Sequence, residues 1–381
     1  MMPMRLMHFS DIHIGKRLGE RSLIEDQSHI LNEILALIDA HEPQAVCIAG
    51  DIYDKSTPSA EAVALFDQFL YQLSRRNVPV FAISGNHDSP ERIAFAGRIL
   101  SENGLFFSPV YDGSIDPVTL SDELGEVDFF CLPFIKPAHV RHAFPEEKID
   151  SHSDAVRVAL SHVSLDPSRR NVLIAHQFIT GARQSESEDI SVGGADNVDA
   201  AIFADFDYVA LGHLHAAQSV SREGIRYCGA PLKYDFAESD HQKSVTLVDL
   251  GEKGALKIQI LPLTPLHDMR RLRGNYMEVT HRDFYRNTPT DDFLHITLTD
   301  EQEIPDAIRK LRTIYPNVMQ LSYDNCRTRA TGAPSPAQIL KTTHPLQLFS
   351  DFYTKQNGQP PSTDQIRLLS SLIESIWEVN P

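Results

Sequence analysis

Seven residues of metal-binding type each stand just past a short apolar run in this 381-residue chain. Asp11 and His13 follow MRLMHFS, Asp51 follows AVCIAG, and Asn86 follows VPVFAISG. His176 follows NVLIA, and His213 and His215 follow DYVALG. Asp11 and His13 lie two apart on an extended turn, so both reach one ion. Gly50 lets the backbone come close before Asp51, and a carboxylate there bridges two cations through its two oxygens. Carboxylate, amide and imidazole donors together suit manganese, iron or zinc better than calcium. Two such ions about 3.5–4 Å apart activate a bridging water and clamp both oxygens of an in-line phosphoryl displacement. His87, between Asn86 and Asp88, is the residue expected to touch the scissile phosphate or protonate the leaving oxygen. One DxH or HxH alone is an ordinary polar loop. The ordered set, at five run ends, reads as a site for phosphoester chemistry.

The elements that must carry these residues follow from the same runs. In an open α/β sheet, ligands bind beyond the carboxyl ends of the strands, so five strands of one sheet would aim the seven residues at one crevice. Between the runs lie helical patterns, such as Ile24 to Ala40 and Ala60 to Arg75, which is βαβα arithmetic. Residues 225–260 read instead as successive strands: Ile225–Cys228, Ser244–Leu250 and Leu256–Ile260. A mixed sheet, or two sheets face to face, therefore fits better than one purely parallel sheet. The expected class is α/β, with layered β-sheets flanked by helices over residues 1–265. A break at Pro262 to Gly274 holds the basic trio Arg270, Arg271 and Arg273. A small α+β unit follows, placed at 270–326, with strands at Tyr276–Thr280, Phe293–Leu298 and Val318–Tyr323 and a helix at Ile304–Ile314. Residues 327–345 read as a linker. The segment 340–381 reads as a helical hairpin, Pro345 to Lys355 and Asp364 to Trp377.

Composition narrows the class. The hydrophobic fraction of 42% suffices for a large core, and no apolar stretch approaches the roughly 20 residues that span a bilayer. No secretory pattern opens the chain. The four cysteines are scattered, with Cys47 inside an apolar run, so a reduced cytoplasm is expected and a cysteine zinc site is not. A net charge of −17 argues against coating nucleic acid by charge alone. Residues 270–330 depart from it, with ten Arg or Lys against nine Asp or Glu. No GxxxxGK[ST] phosphate loop occurs.

The motifs DIH, GDIYD, GNHD, AHQ and GHLH resemble those of the calcineurin-like metallophosphoesterases. Within that superfamily the chain resembles the SbcD family of bacterial nuclease subunits, related to the double-strand-break repair nucleases. The opening MRLMHFSDIHIGK, the stretch Tyr227 to Tyr234, close to the family's YxGSPLKYSFSE, and PLQLFSDFY near the end carry that closer likeness. The resemblance implies Asp11, His13 and His215 on one ion, Asn86, His176 and His213 on the other, Asp51 bridging and His87 acting on the phosphate. It implies two divalent ions, manganese by preference. Asp54 fills a position held by histidine in some relatives; it orients a ligand, as Asp88 would, or caps the helix at Ala60. His8 reads as a satisfied core histidine. Ala230 replaces the family's usual serine.

The resemblance also implies a substrate and partners. Protein phosphatases of this superfamily continue GDxxD with Arg-Gly and use GNHE, unlike this chain. The implied activity is 3′–5′ exonuclease on double-stranded DNA and endonuclease on single strands and hairpins, in DNA end processing, repair and recombination. A small-substrate phosphodiesterase of the cyclic-nucleotide type is the alternative. The unit at 270–326 would be a DNA-binding cap, with Arg270, Arg271 and Arg273 on phosphates. Arg309, Lys310 and Arg312 meet phosphates or form a solvated helix face. The hairpin at 340–381 would grip the coiled coil of an SbcC-type ATPase, or pack on its own domain. Val63, Phe66, Phe69, Phe95 and Leu100 are candidates for a homodimer contact within a heterotetramer, or for ordinary core. No membrane partner is expected.

Overall fold

A computed structural model describes residues 3–183, 197–330 and 345–379. The main strands, in chain order, are β1 (Met4–Phe9), β2 (Ala45–Ile48), β3 (Val80–Ala82), β4 (Leu105–Phe107), β5 (Val118–Asp122) and β6 (Gly125–Leu132). Then come β7 (Arg170–His176), β8 (Tyr208–Gly212), β9 (Gln218–Val220), β10 (Arg222–Tyr227), β11 (Ser244–Leu250) and β12 (Leu256–Pro262). They form two six-stranded sheets, ordered β12-β11-β1-β2-β3-β4 and β9-β10-β8-β7-β6-β5. In each, the central strands run parallel. Antiparallel strands close one side of the first sheet and both edges of the second.

Side-chain alternation along β1 explains the layering. Met4 and Leu6 point into a core between the sheets, with Phe81, Phe129, Val172, Ile174 and Tyr208. Phe81 stacks on Phe129 with ring centres 4.3 Å apart. Met7 and Phe9 point the other way, into a core covered by the helices Ile24–His41 and Ala60–Ser74. The outer face of the second sheet buries Leu173, Ala175, Val209 and Leu211 under helices that include His152–Ser161. The result is helix, sheet, sheet, helix. Phe66 and Phe69 belong to the core under the helices Ile24–His41 and Ala60–Ser74, so they are not dimer contacts; Val63 and Phe95 are exposed.

The strand expected at Tyr276–Thr280 is instead a short helix, Tyr276–Val279. Asn275 Oδ1 accepts the Glu278 backbone N–H at 2.9 Å and the Glu278 carboxylate accepts the Asn275 N–H at 3.3 Å, a capping box. The strand lies one step earlier, where a break was expected: β13 (Met269–Gly274) pairs in parallel with β14 (Phe293–Leu298), and that with β15 (Val318–Tyr323). Leu294, Ile296, Leu298, Leu311 and Tyr315 make this unit's own core. Met269 and Phe293 join Leu232 and Leu263 in the larger one, fastening the two units together.

The helices Pro345–Asn357 and Thr363–Val379 pack on each other, with Phe352 61% and Leu368 64% exposed. The expected linker from 331 onward and the start of the 340–381 segment lie outside the described residues. Among the described residues no helix is long and apolar enough to cross a membrane.

Candidate metal centre

The five strand ends come from two sheets, not one: β1, β2 and β3 from the first, β7 and β8 from the second. Two sheets face to face match one of the expected arrangements; the placing of all five ends on one sheet is corrected, and the crevice survives because the sheets stack with these ends aligned. Just beyond the ends the backbone turns left-handed at Asp11 (φ 53°), His13 (φ 46°), Asp51 (φ 49°) and His213 (φ 101°). Aspartate and histidine tolerate this region better than bulkier residues. Backbone bonds lock the turns together, Asp11 N–H to Gly50 O at 3.0 Å and His13 N–H to Asp51 O at 3.0 Å. The His213 N–H donates to Asp11 Oδ1 at 2.9 Å, so a residue of the second sheet is tied to one of the first. Gly212 lets this happen: a Cβ there would stand 2.6 Å from His176 Nδ1.

The expected ligand atoms converge in two groups. On one side Asn86 Oδ1 lies 3.0 Å from both His176 Nε2 and His213 Nδ1. His176 Nδ1–H donates to the Ala49 carbonyl at 2.7 Å, which in a neutral ring leaves Nε2 with a lone pair aimed at another acceptor. On the other side His13 Nε2 and His215 Nε2 are 3.2 Å apart. His215 Nδ1–H donates to Glu238 Oε1 at 2.9 Å, so its Nε2 is likewise an acceptor. Asp11, His13 and His215 bring ligand atoms within 4.8 Å of one another, as do Asp11, Asp51 and His176. Asp51 Oδ2 lies 3.7 Å from His13 Nε2 and 3.3 Å from His176 Nε2, between the groups. Lone pairs facing each other at these distances repel unless a proton or cation sits among them. The donor set therefore fits a pair of divalent ions.

The electrostatics agree. Burial opposes charge on His176, but the Asp51 and Asp11 carboxylates outweigh it and raise its pKa to about 9. Burial, reinforced by His176, lowers His213 to about 3, so the neighbouring ring stays neutral. Burial raises Asp11 to about 6 against the pull of His176. Burial opposes charge on His215 too, but Glu238 and Asp11 outweigh it and raise its pKa, so the carboxylates draw positive charge to this centre.

Asp88 is fully engaged behind this centre. Its carboxylate accepts N–H bonds from Ile52 at 3.0 Å, Tyr53 at 2.9 Å and Gly85 at 2.9 Å, joining the loops that carry Asp51 and Asn86. Asp54 does not cap the helix Ala60–Ser74; Ser59 does, accepting from Ala62 N–H at 3.2 Å. Asp54 instead holds the Lys16 amine at 2.8 Å, and its carbonyl takes the His87 Nδ1–H at 3.2 Å. The His87 N–H donates to Asp51 Oδ1 at 2.9 Å, and its ring meets His13 edge-on at 4.9 Å. His8 is a buried core histidine with Nδ1 against Tyr208 OH at 2.8 Å.

The basic trio fares differently. Arg270 is paired with Asp292 at 2.6 Å and Arg273 with Asp324 at 2.5 Å, while Arg271 lies exposed on β13. Arg309 pairs with Asp306 at 3.3 Å on its own helix. Sequence reasoning missed Glu238 and Lys243, the pair behind His215, joined at 2.6 Å. A signal existed: Glu238 stands where YxGSPLKYSFSE ends in glutamate, four residues past Tyr234. It also missed Gln27, whose amide donates to His13 O at 2.6 Å and accepts from Gly15 N–H at 2.9 Å.

Comparison with known proteins points one way. Residues 4–217 match the calcineurin-like phosphoesterase family, and residues 265–357 match the type 5 capsule protein repressor C-terminal domain. The SbcD subunit of the nuclease SbcCD from Staphylococcus epidermidis is 33% identical over 323 residues, covering 84% of this chain and 85% of its own. Its counterpart from Staphylococcus saprophyticus is 28% identical over 386 residues, covering 98% and 99%. Among solved structures, a dimetal phosphatase from Danio rerio covers 68% of this chain and 96% of its own, at TM-score 0.43 and 13% identity.

Proposed function

We propose that this chain, which belongs to the calcineurin-like phosphoesterases and within them to the SbcD nuclease subunits, cuts DNA with two manganese ions. Its family makes it a metal-dependent phosphodiesterase. We assign it 3′–5′ exonuclease action on double strands and endonuclease action on single strands and hairpins. The observation that carries the reading is the convergence of ligand-type atoms on aligned strand ends, with Asn86 Oδ1 3.0 Å from His176 Nε2 and from His213 Nδ1, and His13 Nε2 3.2 Å from His215 Nε2.

Asp11, His13 and His215 would hold one ion, Asn86, His176 and His213 the other, and Asp51 would bridge them. Bound there, the ions supply an activated water and neutralise charge on the phosphate. Asp51 also fixes the His87 backbone at 2.9 Å. The Asp54 carbonyl orients the His87 ring through Nδ1–H at 3.2 Å, which turns Nε2 toward the phosphate, where the doubly protonated ring would give its Nε2 proton to the leaving oxygen and keep the one on Nδ1. The helices from residue 345 onward, with exposed Phe352 and Leu368, support docking on an SbcC-type ATPase through 340–381. Exposed Val63 and Phe95 support a homodimer within that assembly.

Purified protein with manganese should degrade linear DNA. His87→Ala should keep its metal by elemental analysis and lose about 10²–10⁴ in cleavage rate. Intact DNA alongside hydrolysis of bis(p-nitrophenyl) phosphate would favour the small-substrate phosphodiesterase, and a chain that takes up no metal would sink both readings. Deleting 340–381 should abolish co-purification with the ATPase and spare the manganese-dependent nuclease; retained binding would refute the docking assignment.

A further inference from the structure

We infer that Lys16 binds the phosphate next to the scissile one, and so makes the centre selective for a polynucleotide over a small phosphodiester. The inference rests on the nuclease reading above. Lys16 closes the loop that carries Asp11 and His13. Its backbone is fixed: the Lys16 N–H donates to His13 O at 3.0 Å, and Lys16 O accepts from Leu23 N–H at 3.1 Å. Gln27 pins the same turn through Gly15 and His13. A long, flexible stem therefore starts from a rigid base beside the candidate ligands.

The amine stands at the rim, 29% exposed, and is held by Asp54 Oδ1 at 2.8 Å. That same oxygen is 4.0 Å from His13 Nδ1, so the Lys16–Asp54 pair borders the candidate ligands directly. Asp54 belongs to neither ligand group. Unneutralised, its carboxylate would repel an incoming polyanion at the edge of the centre. A lysine ammonium is a mobile point charge, able to turn from Asp54 to a phosphate oxygen without moving the backbone. A DNA strand brings such a phosphate beside the one being cut, and an ester such as bis(p-nitrophenyl) phosphate brings none.

The test compares Lys16→Met and Lys16→Arg with wild type on linear DNA and on bis(p-nitrophenyl) phosphate, with manganese, over a salt series. For Lys16→Met the KM for DNA should rise roughly fivefold while kcat changes less. The slope of log kcat/KM against log salt should flatten by about 0.7–0.9, one phosphate contact. The loss on the small ester should be the smaller, and Lys16→Arg should restore most of the DNA affinity. Equal losses on both substrates with an unchanged salt slope would mean that Lys16 merely neutralises Asp54, and would overturn the inference alone. If wild type leaves DNA intact but hydrolyses the ester, the nuclease reading falls and this inference falls with it.

Discussion

Replacing Glu238 by glutamine tests whether the carboxylate behind His215 shapes the centre. Glu238 is fully buried. One oxygen accepts His215 Nδ1–H at 2.9 Å and the other accepts the Lys243 ammonium at 2.6 Å, while Lys243 also donates to His215 O at 3.0 Å. Burial pushes the Glu238 carboxyl up, but His215 and Lys243 outweigh it and hold it well below the usual carboxylate range. Glutamine keeps the volume but has one acceptor and an NH₂, so either His215 or Lys243 must face a donor. A carboxylate that orients a histidine ligand is worth about 10–100-fold in metal affinity, or about 1.4–2.7 kcal/mol. Glu238→Gln should weaken one manganese site by that factor, the site of Asp11, His13 and His215, and leave the other near wild type. Titration calorimetry or manganese spin resonance reads the two affinities. Breaking a buried pair costs about 3–5 kcal/mol, so the variant should also melt earlier. Glu238→Gln with Lys243→Met separates the effects: without the ammonium the amide oxygen is free for His215, and affinity should recover in part. Equal weakening of both ions, or no recovery in the double variant, would refute the reasoning.

Two further outcomes follow from other parts of the fold. Arg170, itself buried, binds both oxygens of the half-buried Asp122, whose side chain is 1% exposed, at 2.5 Å and 2.8 Å, and the carbonyls of Gly125 and Leu250; Arg170→Met should cost about 3–5 kcal/mol in urea unfolding. Burial raises the Asp122 carboxyl, but Arg170 outweighs it and lowers its pKa. The stability this adds is present above the unfolded value of about 4 and is lost as pH falls through the folded value. The two proteins should therefore converge in acid, and parallel stability curves from pH 7 to pH 3 would contradict the assignment. Phe352→Asp with Leu368→Asp alters exposed positions, so stability should hold to within about 0.5 kcal/mol while capture of the ATPase partner is lost. An unchanged capture would exclude this face.

What could be read along the chain was local. Asp11, His13, Asp51, Asn86 and His213 each end an apolar run, and that coincidence needs no knowledge of pairing. Which strands share a sheet is not local: β1 lies between β2 and β11, and β11 arrives more than 230 residues later. Hence the layered sheets were legible, but the five run ends were placed on one sheet where two share them. Periodicity gives the helix Ala60–Ser74 an apolar stripe without saying what covers it, so Phe66 and Phe69 read equally as core or as dimer contact. At Tyr276–Thr280 the β-type residues misled, although Asn275 and Glu278 spell a capping box that overrides them. The alternation MRRLRG in β13 was masked by its arginines, whose partners Asp292 and Asp324 lie 22 and 51 residues away. Glu238 was in view at the end of a recognised stretch, but only the fold brings it to His215.

The strained turns and the ligand set depend on each other. Four non-glycine residues of the candidate centre hold left-handed backbone, a conformation that costs on the order of 1–3 kcal/mol each unless its surroundings enforce it. Here the carboxylates help enforce it. Asp11 Oδ1 accepts the His213 N–H, Asp51 Oδ1 accepts the His87 N–H, and Asp88 accepts three N–H groups from the neighbouring loops. Asp11 and Asp51 thus serve the backbone with one lone pair and keep others for a cation. Removing either would take away a candidate ligand and also release a turn that presents other ligands. Alanine at Asp11 should therefore disturb His213 as well, a coupling that ligand counting alone does not foresee. Neighbouring sites that share a partner are where mutational effects stop adding, so Asp11→Ala and His213→Ala together should cost less metal affinity than the sum of the two alone.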